Sequence, residues 1–188
     1  MGNKKYNHIM VGIETMGNES YSSIVSIGAL EFDLETGETG GEFYANVNLQ
    51  SCIDAGLILN ASTIMWWMSQ DKKAINSLTN PKPKHIAEAL QEFTEFIYPL
   101  GTLKEDLPKI WGNSTRFDLG LLQNAYNKLN LNIPWDFRKE GCVRTLVSFK
   151  PEVKDNFPNI GVSHNALSDC YFQVGYCSEI WRSLNGRF

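Results

Sequence analysis

Ile9-Met10-Val11-Gly12-Ile13-Glu14-Thr15-Met16-Gly17 is a run of strand-forming residues with a glycine at its centre. Glycine in a strand has no side chain to pack and loses more backbone entropy on folding than its neighbours, so it ordinarily marks a bulge or a close approach of two backbones. A third reading is that a side chain belonging to the position has been lost. From Tyr6 to Glu14 the alternation sets Ile9, Val11 and Ile13 against His8, Met10, Gly12 and Glu14. Gly12 and Glu14 therefore share one face of a first strand.

Outward from this strand, Ile24 to Asp33 is rich in Ile, Val, Leu and Phe and reads as a second strand. The Gly-bearing stretch Glu35 to Gly41 reads as a hairpin connection, and Glu42 to Asn48 alternates as a third strand. After residue 60 the signals become helical. Ser62 is placed to cap a short helix holding Trp66 and Trp67, and Ile86, Leu90, Phe93 and Ile97 recur at helical spacing. Lys109 to Gly112 reads as a fourth strand. A helix is expected from about Thr115, with Leu119, Leu122, Tyr126 and Leu129 on one stripe, and a last helix from about Asn165 to Leu184 with Cys170, Val174, Cys177, Trp181 and Leu184 inward. Strands first, then strand and helix alternating, predict an α/β fold: a mixed sheet, a three-stranded antiparallel meander plus parallel strands, flanked by helices.

The 188 residues contain no linker-like stretch, so one domain spanning residues 1–188 is expected. A composition 43% hydrophobic and 20% charged, with five Trp, excludes a disordered chain. The net charge of -4 argues against a protein that grips nucleic acid by bulk electrostatics, yet suits carboxylates that await metal ions. No secretory apolar segment and no run of about 18 apolar residues is present, which points away from the membrane and toward the cytoplasm. Cys52, Cys142, Cys170 and Cys177 lack metal-ligand spacing and read as reduced thiols rather than a zinc site. Basic residues such as Lys84, Lys139, Arg144 and Lys150 read as a solvated face, with a phosphate track as the alternative.

Three acids stand out by position: Glu14 at the end of the first strand, Asp118 in the first turn after the fourth, and Asp169 near the start of the last helix. Taken singly, an Asp in a first helical turn complements the helix dipole, and Glu14 is a solvated strand end. Together with His164, five residues before Asp169, they form a set able to converge on divalent metal.

Gly12-Ile13-Glu14-Thr15, then Asn113 to Asp118, then His164-Asn165-Ala166-Leu167-Ser168-Asp169 resemble the three motifs of the DnaQ-like exonuclease superfamily, in its His-bearing DEDDh branch. Within that branch the chain is similar to the phage and bacterial group related to DexA and to the mycobacterial exoribonucleases. The resemblance covers roughly residues 7 to 182 and implies an RNase H-like fold. It also implies 3′-to-5′ hydrolysis of single-stranded DNA or RNA from its 3′ end with two Mg²⁺ or Mn²⁺ ions, and a homodimer. By the same resemblance Glu14, Asp118 and Asp169 hold the ions and His164 is the proton acceptor. Thr15, Met16, Phe117 and one or both of Trp66 and Trp67 meet the substrate.

The first motif departs from the family where its leading Asp would stand. Gly12 then reads as a deleted metal ligand, an inactivating substitution in an otherwise intact set, and an Asp restored there is expected to face the cleft with little repacking. If phage-encoded, such a chain would work in the host cytoplasm. The competing reading is a degenerate nuclease fold kept as a nucleic-acid-binding or interaction module.

Overall fold

β1 (His8–Thr15) is apolar almost throughout because both of its faces are covered. In the computed structural model, which describes residues 6–99, 101–158 and 164–186, it is the central strand of a five-stranded sheet ordered β3-β2-β1-β4-β5. β2 (Ile24–Phe32) and β3 (Thr39–Asn46) form the antiparallel meander, while β4 (Lys109–Gly112) and β5 (Glu140–Cys142) run parallel to β1.

The odd residues Ile9, Val11 and Ile13 pack with Phe93 and Leu90 of α4 (Ile86–Ile97) and Leu122 and Tyr126 of α5 (Gly120–Lys128). Met10 points the other way, into a cluster with Leu30 and with Val174 and Ile180 of α8 (Ala166–Leu184). Period-2 alternation in the central strand thus sorts the chain into two helical layers. Gly12 and Glu14 have the parity of Met10, so they lie on the α8 side. Shorter helices fill the remainder: α1 (Leu49–Asp54), α2 (Ala61–Met68), α3 (Lys72–Ser77), α6 (Val143–Val147) and α7 (Pro151–Asn156). Among the described residues no helix is long and apolar enough to cross a membrane. Three of the four free cysteines are buried.

Several local expectations are corrected. β3 begins at Thr39, so Gly40 and Gly41 lie inside it; the preceding turn is closed by Asp33, whose Oδ1 accepts from the Glu35 and Thr36 amides. Asn60, not Ser62, caps α2: its extended backbone suits a cap, and its side chain accepts from the Ser62 and Thr63 amides. The helix expected from Thr115 opens as a wider π turn over Thr115–Leu119 before α5 begins, and Leu184, expected inward, is exposed at the end of α8.

Candidate active site

Gly12 lies beside Gly28 in the β1–β2 register, and the first turn of α8 sits directly on the pair. A Cβ on Gly12 would stand 2.8 Å from the Ala166 carbonyl oxygen, and one on Gly28 would stand 2.5 Å from the Ala166 carbonyl carbon. Of the readings open for Gly12, a close approach of two backbones is thus present at this position. The glycine has a packing reason, since it lets a helix start rest on the sheet backbone. The same contact corrects the expectation of easy restoration: an Asp at position 12 requires the Ala166 backbone to move.

The same close seating brings the site residues together. β1 delivers Glu14 just past the glycine pair. β4 ends at Gly112, where a Cβ would lie 3.0 Å from Cβ of Asp118, so the π turn folds Asp118 back against the strand end. Its Oδ2 accepts from the Ser114 amide at 2.8 Å. Asp169 comes from the first turn of α8, whose cap Asn165 accepts from the Ser168 amide at 3.0 Å and donates to the Tyr44 hydroxyl at 3.2 Å. His164, immediately before that cap, holds a left-handed backbone with φ 61. Gly12, Glu14, Phe117, Asp118, His164 and Asp169 all line one cavity of about 140 Å³.

Charge is disfavoured in this cavity. Burial, and then the neighbouring charges of Asp169 and Asp118, push the Glu14 carboxyl up to about 8. Burial raises Asp118 to about 6 against the opposing pull of backbone amides and Arg144, and raises Asp169 to about 6 against the pull of His164. Three acids facing one another without enough positive charge is the environment a hard cation corrects. Gln173, one helical turn after Asp169, points to the same need: it lines the cavity, is buried, and among the described residues its Oε1 has no hydrogen-bond partner. Among the described residues no three His, Cys, Asp or Glu side chains are gathered as a ready ion cage. The donor set is nevertheless of the right kind, since carboxylate and amide oxygens suit Mg²⁺ or Mn²⁺.

The remaining predicted contacts lie beside the cavity rather than in its walls. Thr15 is buried and its hydroxyl donates to the Gly17 carbonyl at 2.5 Å. Met16 is half-buried against Val25, Trp67 and Leu78. Trp67 is buried and its Nε1 donates to the Thr15 carbonyl at 2.9 Å. Trp66 is the exposed member of the pair, at 42% of its surface, and its ring meets His164 edge-on with centroids 4.9 Å apart. Among the lysines, Lys84 pairs with Glu92, Lys150 lies 3.8 Å from Glu152, and Lys139 donates to the carbonyls of Glu105 and Leu107.

Arg144 and Gln173 were not singled out as site residues from the sequence. Gln173 had a signal in its i+4 spacing from Asp169, which places both on one helix face. Arg144 stands in the sequence only as one of the basic residues with a phosphate track as the alternative; its place in the cavity wall has no signal, because β5 and α6, which position it, are too short to show periodicity.

A family model described as the 3′-5′ exoribonuclease Rv2179c-like domain matches residues 7–181. The chain belongs to the Rv2179c-like 3′-5′ exoribonuclease domain family. No curated protein sequence matches it. Solved structures share the fold of this Rv2179c-like chain at low identity. Exonuclease I superposes with a TM-score of 0.70 at 13% identity over 95% of this chain, which spans 41% of that protein. An Escherichia coli exonuclease I complex with a dA16 oligonucleotide gives a TM-score of 0.66 at 13% identity, covering 95% of this chain and 41% of that one. The nuclease domain of 3′hExo, a DEDDh family member bound to rAMP, gives 0.60 at 12% identity, covering 95% of this chain and 93% of that one.

Proposed function

We propose that this chain is a 3′-to-5′ exonuclease domain for single-stranded nucleic acid, RNA being the first polymer to test, and that Gly12 leaves it strongly impaired. The observation that carries the reading is the convergence of Glu14, Asp118, His164 and Asp169 on one cavity from three separate segments. The family membership supports it.

Glu14, Asp118 and Asp169 would hold divalent ions, which supply Lewis-acid stabilisation of the attacking and leaving oxygens. The Trp66 face would take the terminal base by stacking, with Trp67 fixing α2 beneath it. His164 takes a proton from the attacking water, a task suited to an imidazole whose ordinary pKa is about 6.5. The water oxygen bonds to phosphorus, and the bond from phosphorus to the 3′-oxygen of the preceding nucleotide breaks. That oxygen leaves as a hydroxyl after taking up a proton, and the terminal nucleotide leaves as its 5′-monophosphate. Position 12 is where the family carries a further carboxylate, and its loss weakens the hold on the ions.

One observation favours a second reading, a binding module: the Ala166 carbonyl already occupies the space an Asp at position 12 would need. Gly12→Asp separates the two. Assayed on labelled single-stranded RNA and DNA with Mg²⁺ or Mn²⁺, it should raise 3′-terminal release by at least about a hundredfold, since ion stabilisation is worth several kcal/mol and about 1.36 kcal/mol is a factor of ten. Adding His164→Ala should remove most of the gain while binding persists. A folded Gly12→Asp protein that shortens neither polymer would favour the binding module.

A further inference from the structure

A larger cavity of about 490 Å³ adjoins the carboxylate pocket and shares Phe117 and Arg144 with it. Its walls include Arg116, Ser114, Ser20 and Glu19. Asn124 on α5 donates to the Ser20 carbonyl and so ties the loop after β1 to the helix side of this cavity. Among the described residues neither Arg116 nor Arg144 is in an ion pair. The acid in the wall, Glu19, is turned toward α2, where its Oε1 meets Nδ2 of Asn60 at 3.5 Å. Two guanidiniums outside any ion pair among the described residues, in a concave, polar site beside three carboxylates, set an anion site next to the proposed cation site. A phosphodiester strand demands that pairing, because its phosphates alternate with sugars along a single path.

The order along the path follows from which residue lines which cavity. Arg144 lines both, so it stands at the boundary where the scissile phosphate would lie. Arg116 lines only the larger one. His164 lines only the carboxylate cavity and its ring meets Trp66, while Asn124 of α5 and Ser20 of the loop after β1 line only the larger one. Building on the exonuclease reading, we infer that the larger cavity is the subsite of the penultimate nucleotide, in which Arg116 binds the phosphodiester one step 5′ of the scissile one. The strand then enters over α5 and the loop after β1, and its 3′ end stops under Trp66.

The test is binding by titration calorimetry in Ca²⁺, with the dinucleotide carrying or lacking a 5′-phosphate. The 5′-phosphate stands where Arg116 would meet the next linkage. In the unmodified chain it should tighten binding by about tenfold, the scale of one charge-assisted hydrogen-bonded contact. Arg116→Ala should erase that preference while leaving the unphosphorylated dinucleotide unchanged, and Arg116→Lys should keep part of it. Arg144→Ala should weaken both ligands. A 5′-phosphate without effect, or an effect that survives Arg116→Ala, overturns the subsite. Failure of the exonuclease reading has a different signature: Gly12→Asp, folded and supplied with Mn²⁺, shortens no labelled strand, whatever the dinucleotides do.

Discussion

Gly12 answers to two requirements at once. By resemblance to the DEDDh motif a carboxylate would stand there, whereas a Cβ at this position would lie 2.8 Å from the Ala166 carbonyl oxygen. Gly12→Ala isolates the steric part, because it adds one methyl and no charge. It should lower stability by about 1–3 kcal/mol, the usual scale of overpacking, read as a lower urea midpoint at unchanged slope. An unchanged midpoint would show that the start of α8 gives way freely. Gly12→Asp carries the same steric load plus a buried like charge, so any gain in activity should come with a lower ion-free melting temperature. Gly12 was legible as a departure from a motif, but its contact with Ala166 was not, since residues 154 positions apart in sequence (166 − 12) touch only after α8 docks.

α2 shows how a short helix is held by one side chain. It has a single buried residue, Trp67, whose indole N–H is bonded to the Thr15 carbonyl at the end of β1. Trp67→Phe keeps most of the apolar contact and removes the donor, leaving a buried carbonyl unpaired at a cost of about 1–3 kcal/mol. The loss should appear as faster amide exchange across residues 61–68, and Trp66→Ala should produce much less of it. Were Trp66→Ala the more disruptive change, Trp66 would be the anchor. The sequence announced the existence of this helix but misplaced its cap, because Asn60 and Ser62 are both good cap residues and only the backbone decides between them. The π turn carrying Asp118 was equally invisible: a Thr115–Leu119 register one residue wider than an α turn leaves no mark in the spacing of apolar residues.

The architecture was the most legible part, since both central-strand faces are apolar and the helices on each side are long and periodic. The gathering of Glu14, Asp118 and Asp169 followed from their places at a strand end, a turn after a strand, and a helix start. The electrostatic consequence could not be read that way, because it depends on depth of burial. Each of the three has a folded-state pKa above its ordinary value, so folding takes up protons. Their contribution to stability is fully present below the ordinary carboxyl range and is lost as pH rises through about 6 and then about 8. Ion-free chain should therefore melt at a lower temperature at pH 8 than these groups would allow at about pH 5, and Glu14→Gln should flatten the slope.

The three acids on one cavity make the cleft a spring held shut by the rest of the fold, and on the proposed reading a divalent ion would be the catch that relieves it. An ion that binds only the folded chain at a hundred times its dissociation constant adds about 2.7 kcal/mol. Occupancy of the cleft should then be readable as a rise in melting temperature on adding Mn²⁺ or Mg²⁺ at alkaline pH, shrinking as the solution is acidified, even in a chain that cleaves nothing. A melting curve indifferent to both ions at every pH would mean that the acids do not act as a cation site.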